Sequence, residues 1–476
     1  MAKDEAVQQG LQVDLPNITT DMPVIGFTGA LGSGCSYLAR GLHKHHGYVY
    51  CSLSKPIHDH AKDVGFKETT ENLQNLGNEL RETFGRGFLA SAALHEVSSR
   101  LPPIGSSGRP VGIVVDGIRN TGEIDALQQL PNFYLISVQA GTSIRQSRTI
   151  GAGKRFTSLA QFEKADARDR DEQTDHGQQV KECNYRADII VINEEAVSAD
   201  ADAPYKEYIK RLLHRDFVSL IEHVARGRLP NERRARPEEA LMTAAYVESK
   251  RSSCLKRKVG AVIASPTGDI IAAGHNEVPQ AAKPCIQDPR YGWCARDVLQ
   301  ERLGQAIKHC PGCGEPVAVK AECKACGADI VQFAKRCPQC RSSVEIEYSC
   351  PKCKRRVFSE FLPGGASAGS GKLLDLCRAL HAEENAILNL AKFGVHLPVF
   401  DKEEAERRGI PDGCVLYSTT FPCNLCANKI VAVGIRKVVY AEPYTMEEAK
   451  KVFEQEGVTI ERFQGVKSRA FFRLYS

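Results

Sequence analysis

The stretch CVLYSTTFPCNLC, residues 414–426, joins a strand pattern to a Pro-Cys-x-x-Cys turn. Its apolar, β-branched and aromatic residues predict a buried strand that ends before Pro422. Cys423 and Cys426 are three positions apart, so their side chains face the same way in the first turn of a helix. The positive end of that helix favours thiolate. The stretch therefore predicts a strand–helix unit whose loop presents two metal-binding thiolates.

A third ligand lies upstream in HAEENAI, where His381 precedes Cys423 by 42 residues. One imidazole and two thiolates leave the fourth position of a zinc ion open for water, which indicates a catalytic site rather than a closed structural one. Glu383 is not a ligand but a general acid–base for that water. The alternative is a zinc knuckle that uses His381, but this leaves Glu383 unexplained.

The pattern H-x-E…P-C-x-x-C is typical of zinc-dependent nucleobase deaminases. Five segments together resemble the deoxycytidylate deaminase branch of the cytidine deaminase-like superfamily: MTAAYVESKRSSCLKRKVGAVI, GHNEVP, HAEENAI, LYSTTFPCNLC and GIRKVVY. The resemblance implies that Asn276 holds the sugar hydroxyl and that residues 259–263 wall the pocket. It also offers Arg257 and Lys258 as phosphate contacts, with Arg469 as a further candidate. An ordinary surface charge is the other interpretation of Arg257.

The remainder of the chain also alternates strands with helices, which predicts an α/β protein. Residues 22–225 contain the buried-strand patterns VIGFTG, GIVVDG, FYLISVQA and ADIIVIN, typical of a mainly parallel sheet. A polar stretch, RGRLPNERRARPEEA, separates this region from residues 237–476, the predicted deaminase-like α/β/α domain. Residues 305–372 interrupt the second region with a cysteine-rich insert.

The first region begins with a glycine-rich loop, GALGSGCS, between a strand and a helix. It matches the phosphate-binding G-x-x-x-x-G-K-[ST] pattern except that Cys35 replaces lysine. Backbone amides around Gly29, Gly32 and Gly34 can still bind phosphate, and Ser36 can still ligate Mg²⁺. Because the lysine charge is missing, we expect nucleotide binding without efficient phosphoryl transfer. A degenerate loop that binds nothing is the alternative.

Asp116 ends the strand GIVVDG, where a magnesium-side carboxylate is expected. Nearby arginines are phosphate-contact candidates, although solvated surface charge explains most of them equally well: Arg119, Arg145, Arg148, Arg155, Arg168 and Arg170. Apart from Cys35, the region resembles deoxynucleoside monophosphate kinases. Its fusion to a deaminase-like region resembles the anti-phage dCTP deaminases of bacteria, which implies destruction of deoxycytidine nucleotides during infection.

The insert carries four CxxC pairs: Cys310 and Cys313, Cys323 and Cys326, Cys337 and Cys340, and Cys350 and Cys353. Eight thiolates make two closed structural zinc sites, and the simplest arrangement joins neighbouring pairs along the chain. Such ribbons contact nucleic acid or protein, and KCKRR is a basic cluster, but a purely structural or oligomer-contact role explains the insert equally well. Cys285 and Cys294 lie just before the insert, where only two ligands are visible, so no further site is predicted there.

Composition limits the remaining possibilities. Ten of the 18 cysteines fall into CxxC pairs, and the N-terminus lacks an apolar signal segment, so we expect a reducing cytoplasmic location and no disulfide scaffold. No apolar run is long enough for a membrane span. The expected partners are a deoxycytidine nucleotide, a regulatory nucleotide and a second copy of the chain.

Three functions follow from these patterns. The first is a zinc-dependent deaminase of dCTP, dCMP or both, regulated through the P-loop region. The second is a deaminase of single-stranded nucleic acid or tRNA that binds through the ribbons. The third is a nucleotide-sensing protein without turnover, which the complete set of His381, Glu383, Cys423 and Cys426 argues against.

Overall fold

The computed structural model describes residues 17–170, 172, 174–194, 213, 217–227, 234–291, 294–296, 321–322, 329–330, 377–398, 402–443 and 447–475. Its strands are β1 (Val24–Thr28), β2 (Tyr48–Ser52), β3 (Gly112–Ile118), β4 (Phe133–Gln139), β5 (Ile189–Ile192), β6 (Gly260–Ala264), β7 (Ile270–His275), β8 (Ala321–Glu322), β9 (Asp329–Ile330), β10 (Val415–Thr420), β11 (Lys437–Glu442), β12 (Thr459–Arg462) and β13 (Gly465–Val466).

The α-helices of the N-terminal half are α1 (Cys35–His46), α2 (Lys55–Asp63), α3 (Thr70–Phe84), α4 (Phe88–Arg100), α5 (Thr121–Leu127), α6 (Thr142–Thr149), α7 (Leu159–Arg170), α8 (Val180–Arg186) and α9 (Ser219–Ala225). Those that follow are α10 (Pro237–Ser249), α11 (Ala382–Phe393), α12 (Lys402–Arg408), α13 (Asn424–Ala432), α14 (Glu447–Gln455) and α15 (Ser468–Tyr475). The predicted α/β class is confirmed. Within the described ranges, no helix is both long and apolar enough to cross a bilayer.

The first sheet has the strand order β13-β5-β4-β1-β3-β2. Strands β1 to β5 pair in parallel, as their continuous apolar runs predict. The central strand β1 is buried along its whole length and pairs with β3 on one side and β4 on the other. Because the chain order reverses around β1, the carboxyl end of this strand opens the crevice where ligands bind in such sheets.

Two apolar cores cover the two faces of this sheet. One joins the strands to the helices α2 to α5, with Leu80 and Leu94 among its buried residues. The other joins them to α1, α9 and α15, through side chains such as Leu38, Ile221 and Leu474. The sheet is therefore the middle layer of three, which explains why its strands are apolar on both sides.

The end of the chain returns to this first sheet. Strand β13 pairs antiparallel with β5, with Gly465 opposite Ile190. Helix α15 then buries Ala470 and Leu474 in the core of the first sheet. The sequence patterns predict these residues as part of the second region, so the pairing of β13 is a tertiary contact that they do not reveal.

The second sheet has the order β12-β11-β10-β6-β7, and β10, β11 and β12 pair in parallel. By proximity the chain forms two compact units. The first comprises residues 1–247, 262–271 and 397–476, and the second comprises residues 248–261 and 272–396. The predicted domain bounds, residues 22–225 and 237–476, stay a prediction.

The predicted zinc-ribbon insert, residues 305–372, lies outside the described residues apart from β8 and β9. These two short strands pair antiparallel, with Ala321 opposite Ile330. All eight cysteines predicted to form the structural zinc sites lie outside the described ranges: Cys310, Cys313, Cys323, Cys326, Cys337, Cys340, Cys350 and Cys353. Their arrangement into two zinc sites and their function remain predictions.

Candidate active site

His381 is the residue that caps the N-terminus of α11. Its backbone is extended, with φ of −74° and ψ of 160°, and its N–H donates to the Glu384 carboxylate at 3.4 Å. The helix begins at the next residue, so Glu383 lies in its first turn, where it is buried. Glu384 therefore accepts a hydrogen bond at the N-terminus of the helix, whereas Glu383 occupies the position predicted for the acid–base residue.

Strand β7 holds α11 at short range. A Cβ atom on Gly274 would lie 2.3 Å from the Ala386 nitrogen and 2.6 Å from the Ala382 oxygen, so only glycine allows this approach. The amide of Asn385 donates to the His275 carbonyl at 2.7 Å, and that of Asn389 donates to the Ala273 carbonyl at 2.8 Å. These contacts fix the helix start that carries His381 and Glu383.

Cys423 and Cys426 occupy the first turn of α13, as their spacing predicts. Cys423 caps the helix with an extended backbone, and its carbonyl accepts from the Ala427 N–H at 2.8 Å. Both residues are buried. The loop before them is held by the Phe421 N–H, which donates to the Glu442 carbonyl at 3.0 Å. The ends of β10 and β11 thus fix the position of the CxxC turn.

The ligand atoms of His381, Cys423 and Cys426 all lie within 4.8 Å of one another. Tetrahedral zinc with bonds of about 2.0–2.3 Å places its ligand atoms roughly 3.3–3.8 Å apart, so small side-chain movements bring the three onto one ion. The donor set of one imidazole and two thiolates suits zinc. Helix α11 also carries Glu383, two residues after His381.

Asn276, the predicted sugar-binding residue, forms hydrogen bonds with the backbone of a neighbouring loop. Its side-chain oxygen accepts from the Val259 N–H at 2.7 Å, and its amide nitrogen donates to the Arg257 carbonyl at 2.8 Å. The side-chain oxygen can accept one further hydrogen bond from a ligand, and the amide nitrogen can donate one further hydrogen bond to it. Asn276 therefore positions residues 257–259, and its contact with the sugar stays a prediction, as does that of Arg257 with phosphate.

The P-loop has the expected backbone shape. Gly34 caps α1 with φ of 105°, which favours glycine. The loop carbonyls are held from outside, because Arg148 donates to the Gly32 and Ser33 carbonyls at 3.1 and 3.2 Å. Asn193 donates to the Ser33 carbonyl at 2.8 Å. These contacts occupy the loop carbonyls with donors from the protein.

Cys35 does not replace the missing lysine charge. Its thiol lies 3.4 Å from the Ser33 hydroxyl, and burial raises the pKa of the Cys35 thiol to about 12. Asp116 is buried at the end of β3, where one carboxylate oxygen accepts from the Tyr50 hydroxyl at 2.6 Å. The other oxygen is buried without a hydrogen-bond partner among the described residues.

The six candidate arginines are mostly occupied by protein groups. Arg145 is buried, donates to the Leu31 carbonyl at 3.0 Å and pairs with Asp166. Arg148 supports the loop, as described above. The other ion pairs are Arg119–Asp169, Arg168–Glu172 and Arg170–Asp166.

Arg155 differs from these five arginines. It donates a hydrogen bond of 3.2 Å to the Thr70 hydroxyl, and no acidic partner lies within ion-pair distance among the described residues. Burial, followed by the charge of Arg119, lowers the pKa of Arg155 to about 10. The positive charge of Arg119 therefore disfavours the charged form of Arg155.

The structure also assembles a group that sequence spacing misses. Cys254, Cys285, Cys294 and Cys377 line one pocket within the second unit. The sequence shows Cys285 and Cys294 as neighbours, but Cys254 and Cys377 lie 31 residues before and 83 residues after them. A recurrence of single cysteines near the deaminase motifs is the signal that could have suggested the group.

Both regions of this chain are similar to known proteins. The family model for the cytidine and deoxycytidylate deaminase zinc-binding region covers residues 235–442. Deoxycytidylate deaminase of Enterobacteria phage T4 is 30% identical over 201 residues, which are 42% of this chain and 75% of that protein.

Two further relatives extend the match to the first region. Deoxycytidylate deaminase of Schizosaccharomyces pombe is 23% identical over 433 residues, which are 90% of this chain and 92% of that protein. A UPF0200 protein of Sulfurisphaera tokodaii is 26% identical over 192 residues, which are 40% of this chain and 97% of that protein. The chain therefore belongs to the cytidine and deoxycytidylate deaminase family, with a P-loop kinase-like region fused to the deaminase region.

Proposed function

We propose that this chain removes the amino group of deoxycytidine nucleotides by hydrolysis of the C4–N bond, converting dCTP, dCMP or both to the deoxyuridine form. The observation that carries the proposal is the convergence of His381, Cys423 and Cys426 next to the helix turn that bears Glu383. Relatives named deoxycytidylate deaminase support cytosine as the base and deoxyribose as the sugar of the substrate.

Each side chain of the site has a separate task in this reaction. His381, Cys423 and Cys426 would hold zinc, which supplies a water acidified to a pKa of about 7. Glu383 takes the proton of that water and delivers it to the ring nitrogen of the base. Once the C4–O bond has formed, Glu383 takes the remaining proton from the new C4 hydroxyl and passes it to the amino group, so that the C4–N bond breaks and ammonia leaves.

The surroundings of Glu383 suit proton transfer. The carboxylate is buried, and α11 is held against β7 by the amides of Asn385 and Asn389. A fixed carboxylate in a site with little water loses less orientation freedom in the transition state. Residues 257–259, pinned by Asn276, would supply the edge for sugar and phosphate.

The direct test is turnover of dCTP, dCMP, cytidine and a cytosine-containing oligonucleotide by the purified chain with its zinc content measured. We expect ammonia and the deoxyuridine nucleotide from dCTP or dCMP. Zinc-loaded, folded protein that turns over neither nucleotide would overturn the proposal. Turnover confined to the oligonucleotide would instead support the nucleic-acid deaminase, and binding without turnover would support the sensor.

We infer further that the physiological role is depletion of dCTP in antiviral defence. The support is the fused architecture, in which one chain contains a P-loop kinase-like region and a deaminase region. The test is the dCTP pool and phage yield in cells that express the chain, with Glu383→Gln as the matched control. A phage yield that is equal in the two strains would overturn the role without affecting the chemistry.

We also infer that the P-loop binds a regulatory nucleotide with Mg²⁺ and transfers no phosphoryl group. One buried Asp116 oxygen has no partner among the described residues, which favours a bound cation near the loop. Ile118 lies opposite Thr28 in the sheet, so Arg119 follows β3 beside the first loop residue, Gly29. The guanidinium of Arg119, which is paired with Asp169, therefore lies close to the loop that lacks lysine.

Titration calorimetry with nucleoside mono- and triphosphates, with and without Mg²⁺, tests this inference. Asp116→Asn should weaken the Mg²⁺-dependent part of binding, whereas Asp125→Asn, on the exposed part of α5, should not. Absence of binding by any nucleotide would leave the degenerate loop as the better interpretation. Oligomer formation, and nucleic-acid binding through the ribbons, stay predictions for sedimentation and oligonucleotide-binding assays.

A further inference from the structure

Asn193 connects the P-loop to Glu194, the next residue along the chain. It is buried, its side-chain nitrogen donates to the Ser33 carbonyl at 2.8 Å, and its N–H donates to the Gln139 carbonyl at 2.7 Å. A Cβ atom on Gly34 would lie 2.4 Å from the same side-chain nitrogen. A movement of the P-loop therefore has to move Asn193, and with it the backbone at Glu194.

Glu194 shares one carboxylate oxygen between two donors. Its Oε1 accepts from the Gly141 N–H at 3.0 Å and from Nη1 of Arg462 at 3.0 Å. Gly141 caps α6, the helix that carries Arg148, whereas Arg462 belongs to β12 in the second sheet. All of these residues lie in the first compact unit. One oxygen thus joins the helix that supports the P-loop to a strand of the second sheet.

Arg462 extends the connection from Glu194 to Tyr440. Arg462 and Tyr440 are partners across β12 and β11, and Nε of the arginine donates to the tyrosine hydroxyl at 3.4 Å. The Tyr440 ring packs edge-on against that of Phe421, with the two ring centroids 4.8 Å apart. Phe421 lies two residues before Cys423. The contacts that begin at the P-loop therefore reach the turn whose thiolates would hold zinc.

The pair of Glu194 and Arg462 affects position more than stability. Their side chains are 42% and 30% exposed, respectively. Ion pairs with this exposure contribute little to the free energy of unfolding, because water and salt screen them. The pair can therefore break and form again while the apolar cores stay intact. A contact that changes between two arrangements at low cost is the kind of element through which one site biases another.

We propose that Glu194, Arg462 and Tyr440 are positioning residues that couple the P-loop to the CxxC turn of the active site. A phosphate group bound at the loop amides draws the loop toward itself, moves Asn193 and changes how Glu194 divides its oxygen between its two donors. Arg462 and Tyr440 pass this change to the loop before Cys423 and so alter the position of its thiolate. A regulatory use of this coupling rests on the proposed binding of a nucleotide at the P-loop.

Hydrogen–deuterium exchange with peptide mass spectrometry tests the coupling at the Phe421 N–H, which donates to the Glu442 carbonyl. Gly34→Ala disturbs the P-loop directly, because the new Cβ presses against Asn193. It should accelerate exchange in the peptide that contains Phe421 by about two- to thirtyfold, the range expected for coupling between distant sites. In an Arg462→Met background, the same change should not accelerate this exchange further, because the connection is already broken.

Two other variants distinguish coupling from a general loosening of the chain. Glu194→Ala is an exposed change that leaves the cores untouched, and it should accelerate exchange at both the Gly141 and the Phe421 amides. Lys437→Met is the matched control, because it removes the neighbouring pair with Glu461 on β11 and β12 without reaching the first sheet. It should leave the Phe421 peptide at the wild-type rate.

Two results would overturn the coupling. One is a Gly34→Ala effect on the Phe421 peptide that is equal with and without Arg462. The other is a Glu194→Ala effect confined to the Gly141 amide, and this arm decides the matter if Gly34→Ala fails to fold.

Kinetics extend the test to turnover of dCMP and dCTP. Arg462→Met should lower kcat and leave KM near the wild-type value, because the residue positions a metal ligand rather than the nucleotide. The exchange measurements need no turnover, so the two proposals fail separately. The expected exchange pattern in a chain that deaminates neither nucleotide would overturn the proposed function alone. An active chain without that pattern would overturn the coupling alone.

Discussion

The P-loop and the deaminase motif are both short sequence signatures at the carboxyl ends of strands, but their polar side chains are used differently. Around the P-loop, Arg145 and Arg148 bind main-chain carbonyls, and Arg119 pairs with Asp169. At the deaminase motif, His381, Cys423 and Cys426 converge on one point. The arginines of the first region therefore bind protein groups, whereas the ligand atoms of the three deaminase-motif residues lie within 4.8 Å of one another.

The difference teaches that a motif indicates a site only when its side chains are available for the ligand. The P-loop keeps the glycine geometry at Gly34 but has lost the cation at position 35. The deaminase region keeps every residue type that its chemistry needs. Four changes, taken from the largest expected effect to the smallest, test this contrast.

Glu383→Gln should have the largest effect. Glutamine has nearly the same shape but cannot take a proton, so kcat should fall by about 10²–10⁴-fold. Zinc content should stay at the wild-type value, because Glu383 is not among the three residues whose ligand atoms converge. The matched control is Glu384→Gln, whose partner is the helix terminus, and it should retain most of the activity. Substantial turnover by the Glu383→Gln variant would remove Glu383 from the mechanism.

Lys467→Met tests a buried connection within the first unit. The Lys467 ammonium is buried, pairs with Glu442 at 3.1 Å and donates to the Tyr185 carbonyl at 2.9 Å. Removal leaves the buried Glu442 charge unpaired, so the free energy of unfolding should fall by about 3–5 kcal/mol. Urea unfolding followed by circular dichroism measures this change.

The control for that change is Lys450→Met, which breaks the exposed pair with Glu447. We expect it to alter the unfolding free energy by less than about 1 kcal/mol. The double variant that combines Lys467→Met with Glu442→Gln should recover part of the loss, because the unpaired charge is gone. Equal effects of the two single lysine variants would show that the buried pair contributes no more to the free energy of unfolding than the exposed pair does.

Cys35→Lys would break the contrast by restoring the missing charge of the P-loop. A charged hydrogen bond to the outer phosphates contributes about 1.5–3 kcal/mol, so triphosphate affinity should rise roughly tenfold or more. Cys35→Met, which adds length without charge, should give no such gain. Titration calorimetry decides, and equal affinities for the two variants would show that the loop does not meet the outer phosphates.

Glu172→Gln should have the smallest effect and tests the internal polar network of the first region. Burial raises the pKa of Glu172, but hydrogen bonds from Asn78 and the Gln178 N–H, together with Arg168, outweigh it and leave the pKa lowered. Such a carboxylate stabilises the fold above its unfolded pKa of about 4.3. This stability is lost as the pH falls through the lower, folded pKa.

The glutamine variant should therefore be about 1 kcal/mol less stable than the wild type at pH 7. The difference should shrink as both are measured below about pH 4. Urea midpoints at pH 7 and about pH 3.5 give the comparison, and the exposed Glu163→Gln serves as control. A difference that does not change with pH would assign the effect to packing rather than to charge.

The sequence revealed the local parts of the sites because their spacing is short. His381 and Glu383 lie two residues apart at one helix start, and Cys423 and Cys426 lie in one helical turn. The strands β1, β3, β4 and β10 were equally visible, since their apolar runs are continuous. Patterns of this kind depend on the backbone period alone.

Contacts between distant residues could not be predicted in this way. The interpretation of Arg145 and Arg148 as phosphate contacts could not foresee that both hold carbonyls of the P-loop. Asn276 is predicted to bind the sugar, but the structure shows that its amide also pins residues 257–259. A polar side chain within a fold binds whichever partner lies nearest, and one sequence does not give that distance.

By itself, the sequence determined the α/β class and the loss of charge at Cys35, and it predicted the metal ligands and the acid–base residue of the deaminase region. Those properties follow from residue type and short-range spacing. Only the tertiary structure decided that β13 pairs with β5 in the first sheet and that Cys254 and Cys377 share a pocket with Cys285 and Cys294. The physical reason is chain folding: residues tens to hundreds of positions apart become neighbours through packing, which leaves no periodic mark in the sequence.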